Sequence, residues 1–115
     1  MPSLNFKQRF VIPIESGRKR QTIRKMRKRP FRTDDTLYLF TGMRTAKCRR
    51  LGTHRCVGAH HITITHDRIE VDGRILTPAE TIELVQADGF ASSEEFLDFF
   101  RRKHDLPLVG QLIRW

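Results

Sequence analysis

The segment Gly17-Arg18-Lys19-Arg20-Gln21-Thr22-Ile23-Arg24 sets a lysine, a threonine hydroxyl and several arginines close together, directly after Glu15-Ser16. On an extended strand Thr22 and Arg24 share one face while Ile23 points the other way, so the pattern is that of a site rather than of a charge run alone. Threonine is a weak nucleophile until a base takes its proton. Lysine serves as that base only if its pKa falls well below about 10.4. Arg18, Arg20 and Arg24 are near in sequence, and neighbouring positive charge disfavours the ammonium form. Lys19 is therefore a candidate activated lysine. The same residues would bind phosphate with no catalysis at all: arginines as bidentate donors, Lys19 as a point charge, and Thr22 through its hydroxyl to a phosphate or a base edge. A third reading is an exposed basic loop with no specific role.

The elements that must hold these residues read as short strands first and helices later. Leu4-Asn5-Phe6 is a candidate strand, Gln8 to Ile14 a short helix interrupted by Pro13, and Thr22 to Arg24 a strand after a turn at Gly17. Thr36 to Phe40 is the clearest strand, with Leu37, Leu39 and Thr41 on one face and Tyr38 and Phe40 on the other. Strands follow at about Lys47 to Val57 and His61 to Thr65. Arg68 to Val71 and Arg74 to Leu76 flank Asp72-Gly73, a two-residue signal for a type I′ hairpin. Thr77-Pro78-Ala79-Glu80 is a capping box and starts a helix to about Ala87, and Ser92 with Glu95 repeats the device. Phe96, Phe99, Phe100 and Lys103 then recur at helical spacing to His104, an aromatic stripe read as core. Val109 to Trp115 closes the chain as an apolar strand. The fold class expected is α+β: a small, mostly antiparallel β-barrel with two or three helices packed on it, one domain over residues 1–115.

Charge is divided unevenly along the chain. Residues 1–61 hold 16 Lys/Arg against 3 Asp/Glu, and residues 62–115 hold 6 against 10, within a total of +9. A polycationic half attracts polyanions, which points to RNA or a nucleotide as partner. Lys25 to Arg32 extends the basic run as an arm between strands, because Pro30 excludes a regular ladder there. Phe31, Tyr38 and Phe40 are near enough to stack on bases, with Tyr38 the chosen one and Phe40 assigned to the core. No run of about 18 apolar residues exists, and Met1 to Lys7 lacks the apolar stretch of a signal peptide, so no membrane association and a cytoplasmic location are expected. Cys48 and Cys56, with His54, His60 and His61 nearby, do not match a zinc spacing. Free thiols, no metal and no cofactor are expected, although a hairpin near Gly52 would bring the two sulfurs together.

Read as G-x-K-x-x-T-x-R, the Gly17 to Arg24 stretch resembles the opening motif of the ASCH domain family, a branch of the PUA-like β-barrels. The order of later elements agrees with it: the Asp35-Thr36-Leu37-Tyr38-Leu39 strand and an Ala87-Asp88-Gly89-Phe90 turn before the last helix. Thr41 to Thr45 and Cys48-Arg49-Arg50-Leu51-Gly52 look like small ASCH proteins of bacterial and prophage genomes. The resemblance implies an RNA- or nucleotide-binding cleft built on Lys19, Thr22 and Arg24, with Arg18, Arg20 and Arg44 as electrostatic support. For the branch that removes the acyl group from N4-acetylcytidine, it implies that Lys19 activates Thr22 and that a later acid assists. Asp88 is the candidate for that acid, in a position where the amidohydrolase pattern has glutamate. RNA cleavage stands as a third activity, since positive charge around a phosphodiester would stabilise its transition state.

Overall fold

The structure is a computed structural model that describes residues 2–115; Met1, where the segment read for a leader begins, lies outside it. Its strands are β1 (Ser3–Phe6), β2 (Gln21–Lys25), β3 (Thr36–Thr41), β4 (Arg49–Arg55), β5 (Gly58–Ile64), β6 (Ile69–Val71), β7 (Arg74–Ile75) and β8 (Leu108–Arg114). Its helices are α1 (Val11–Glu15), entered through a 3-10 turn over Gln8–Phe10, then α2 (Pro78–Ala87) and α3 (Ser93–Lys103). The α+β class holds. The strands do not close into a barrel, however. They form a three-stranded sheet in the order β1-β3-β4 and a five-stranded sheet in the order β2-β8-β5-β6-β7. Every pairing is antiparallel except β1 with β3. Between β1 and β2, where closure would need a ladder, a side chain reaches across instead: Arg24 Nη2 donates to the carbonyl of Asn5 at 2.7 Å.

The interior lies between the sheets and under α3. Leu37 and Leu39 of β3, Ile62 and Ile64 of β5 and Phe96 and Phe100 of α3 are buried in it, as are Leu112 and Ile113, which lie on opposite faces of β8. Burying each such side chain is worth about 1.5–3 kcal/mol. Phe90 stacks edge-on against Phe10, Phe96 and Phe99, with ring centres 5.2–5.6 Å apart. Phe99 itself is only half-buried, so the aromatic stripe of α3 is core on one side and cavity wall on the other. Phe40, assigned to the core, lies half-buried beside Tyr38 on the outer face of β3.

Several local expectations are revised. Pro13 does not interrupt α1, because it stands in the first turn, where a backbone N–H has no helical partner to lose. β5 begins at Gly58 rather than His61, since it pairs with β8 along its whole length. β4 runs straight through Gly52, which faces Leu39, so no hairpin joins the cysteines. Both are free thiols, Cys48 exposed and Cys56 buried. Glu95 does not complete the second capping box: Ser92 Oγ accepts from Glu95 N–H, but the Glu95 carboxylate takes the N–H of Ala91. Among the described residues, no helix is long and apolar enough to cross a membrane.

Candidate nucleotide-binding cleft

Lys19 lies in the link between α1 and β2, its N–H bonded to Pro13 O at 2.9 Å, and its side chain is 2% exposed. The ammonium donates to the backbone carbonyl of Asp88 at 2.5 Å and stands 3.3 Å from Asp88 Oδ1. Asp88 arrives there through the way α2 ends. Phe90 N–H bonds Val85 O and Gly89 N–H bonds Gln86 O, a Schellman closure that needs the left-handed residue Gly89, at φ 95°. A Cβ at Gly89 would also stand 3.2 Å from the Phe10 ring and 3.5 Å from Lys19 Cδ, so the turn presses directly on the lysine stem. The missing methylene of aspartate does not keep the carboxylate from the lysine.

Around this pair the cavity is small, about 30 Å³, which is room for water but not for a base. Thr22, Ile23 and Arg24 of β2 all line it, so the cavity does not separate the two faces of the strand. Arg24 Nε donates to Thr22 Oγ1 at 3.2 Å, and its guanidinium stands 4.8 Å from the Phe6 ring centre. Gln21 donates to Leu84 O and to Asp88 Oδ1. Phe6, Phe10, Phe90, Phe99 and Phe100 form apolar walls, and Lys7 and Lys103 stand exposed at the rim.

Burial sets the electrostatics. It holds Lys19 below the ordinary lysine range, with Asp88 pulling the other way and Arg24 and Arg9 adding to the depression. It pushes Asp88 above the ordinary carboxyl range against the pull of Lys19, Gln21 and Arg24. Burial also brings Arg24 down to about 10, still charged at neutral pH. The lowered lysine is thus explained by desolvation first, and of the three arginines that the sequence implied, Arg24 is the one among its causes.

Lys19, Thr22, Arg24 and Asp88 therefore come together in one cavity. Four other candidates do not line it. Arg18 donates to Ser16 Oγ on the surface. Arg20 bonds the carbonyl of Trp115. Tyr38 sits on β3 opposite Ser3 and Thr53, and Arg44 is exposed in the turn after β3. Phe31 is not free to stack on a base: it is buried, and Gln111 brackets its backbone with two 2.9 Å hydrogen bonds. Sequence reasoning missed Gln21, Lys7 and the exposure of Phe99 to the cavity. The one available signal was Lys103, which recurs with the aromatic stripe.

Among the described residues, no group of three or more His, Cys, Asp or Glu side chains is placed to hold a metal ion. Thr22 Oγ1 accepts from Arg24, and the Lys19 ammonium is turned to Asp88. The Thr22 hydroxyl and the Lys19 ammonium are thus each directed at another partner rather than at one another. Compared with protein-family models, with curated proteins and with solved structures, the chain matches none.

Proposed function

We propose that the chain is an ASCH-type, PUA-like domain that binds RNA or a nucleotide in the cytoplasm, through the cleft of Lys19, Thr22 and Arg24. One observation carries this reading. A single cavity walled by phenylalanine rings sets Lys7, Lys19, Arg24 and Lys103 against one carboxylate, Asp88. Cations beside aromatic faces are what a phosphate joined to a flat base requires. The cavity, about 30 Å³, takes no base, so the phosphate is the part of the ligand that it would meet. In the test, Arg24→Ala and Thr22→Val, checked for native circular dichroism, are titrated with single-stranded RNA. Removal of one charge-assisted hydrogen bond should weaken the Arg24→Ala variant by about 1.5–3 kcal/mol. Unchanged affinity in both variants would remove the cleft from the binding reaction.

A second reading is favoured by one particular contact. Asp88 Oδ1, distant in sequence, lies 3.3 Å from the Lys19 ammonium, and this contact supports the acid role that the resemblance implies for Asp88. Removal of an acyl group from N4-acetylcytidine would then use Lys19 as base and Thr22 as nucleophile. Because the lysine is engaged by Asp88 and the threonine by Arg24, the natural sequence is expected to hydrolyse N4-acetylcytidine weakly or not at all, with Asp88→Glu the variant to test for a gain. Robust turnover that disappears in Lys19→Met and Thr22→Val but survives in part in Thr22→Ser would make the hydrolase reading the correct one.

A further inference from the structure

Apart from the Lys19–Asp88 pair, the cavity carries three cations that have no carboxylate within ion-pair distance among the described residues. Lys7 follows β1, Arg24 lies on β2 and Lys103 ends α3, so three separate elements converge on one opening. Aromatic faces partly support the charges: Lys7 Nζ lies 5.1 Å and Lys103 Nζ 5.7 Å from the ring centre of Phe99. Such contacts do not neutralise charge. The crowding shows in the titration of the group, since burial, Arg24 and Lys7 all push Lys103 below its ordinary value. His104 next to it is pushed down by burial and by Lys103, Lys25 and Arg24.

We infer that Lys7, Arg24 and Lys103 form a subsite for a phosphomonoester dianion, the terminal phosphate of a nucleotide or of an RNA end. This inference rests on the reading of the cleft as a nucleotide or RNA site, and it names the group that enters first. A terminal phosphate brings up to two charges to three cations that lack an ion-pair partner, although Asp88 acts on Arg24, and Glu94, Glu95 and Asp98 line a neighbouring cleft with Lys7 and Lys103. An internal phosphodiester brings one charge and must run past the opening on both sides. The cavity, about 30 Å³, is too small for a base.

The experiment compares four ligands at one salt concentration: an oligoribonucleotide with a 5′-phosphate, the same sequence with a 5′-hydroxyl, cytidine 5′-monophosphate and cytidine. They are titrated against the wild-type chain, against Lys7→Ala/Lys103→Ala, and against Arg55→Ala/Arg68→Ala, which removes equal charge at exposed residues that do not line the cavity. The phosphate should tighten binding about tenfold or more in the wild type and in the charge control, and this preference should vanish in Lys7→Ala/Lys103→Ala. A preference confined to the mononucleotide, with neither oligonucleotide bound, would support the subsite and overturn the RNA reading. Equal affinity for the two oligonucleotides would leave the RNA reading standing and overturn the subsite, as would a preference that survives in Lys7→Ala/Lys103→Ala. Binding of none of the four also overturns it.

Discussion

At the residue scale the cleft turns on an ammonium and a carboxylate withdrawn from water together. The Lys19 and Asp88 side chains are 2% and 4% exposed. Withdrawing either charge alone is expensive, and their attraction with the added bonds from Gln21 offsets that cost only while both are present. Lys19→Met and Asp88→Asn should therefore each lower the unfolding free energy by about 3 kcal/mol in urea titrations at neutral pH, while Lys19→Met/Asp88→Leu regains most of that stability. Effects that simply add in the double variant would show that the groups are not coupled. Thr22 and Arg24 were legible because strand alternation is a local rule, whereas Lys19, in the link before β2, was legible only through the motif. Contacts, not alternation, remove the support assigned to Arg18 and Arg20: both precede β2, and Arg18 turns to Ser16 and Arg20 to Trp115 while Lys19 turns inward. Gln21 and Lys7 were not legible, since the chain segments they meet are set by tertiary packing.

Among the elements, α2 is the one whose two ends set the site, because its start fixes the helix and its last turn delivers Asp88. Thr77 Oγ1 accepts from Glu80 N–H at 3.2 Å and Glu80 accepts from Thr77 N–H at 3.0 Å, while Arg74 grips both carboxylate oxygens. These bonds pull Glu80 from 4.5 down to about 2. A folded value below the unfolded one means that the carboxylate stabilises the helix above the unfolded pKa and that this effect fades as pH falls through about 2. Thr77→Ala should cost about 1 kcal/mol. Glu80→Gln should be less stable than wild type at neutral pH, with the gap closing as pH approaches about 2; a gap that is constant with pH would mean that the charge contributes nothing. The capping box of α2 and the Asp72-Gly73 turn, with φ of 51° and 81°, were readable because their partners lie within a few residues. Barrel closure was misread because it depends on which distant strands pair, and the parallel match of β1 to β3 leaves no signal in either segment.

For the whole molecule, the division of charge along the sequence becomes a division between paired and unpaired groups. The first 61 residues hold only three carboxylates, of which Glu15 is held by Arg49 and Asp34 by Arg55. Asp35 accepts the backbone N–H of Arg32. Little negative charge is left near Arg27, Lys28 and Arg29, which are exposed in the segment between β2 and β3. That segment is anchored at its centre, where Phe31 is buried and bracketed by Gln111, so its cations are presented from a fixed point. Arg27 lies over the Phe31 ring at 4.5 Å. If RNA binding is dominated by phosphate contacts, affinity should fall steeply with salt, because each neutralised phosphate releases condensed counterions. Replacing Arg27, Lys28 and Arg29 together by alanine should then flatten the plot of log affinity against log salt by about 0.7 for each single-strand phosphate that the variant no longer neutralises. None of the three lines the Lys19–Asp88 cavity, so stability in urea should fall by no more than the contact of Arg27 with Phe31 contributes, about 0.5–1 kcal/mol. An affinity independent of salt in the wild-type chain would remove the electrostatic basis for RNA binding. An unaltered slope in the triple variant would instead locate the phosphate contacts elsewhere, with Arg44, Lys47 and Arg50 the next exposed cations to replace.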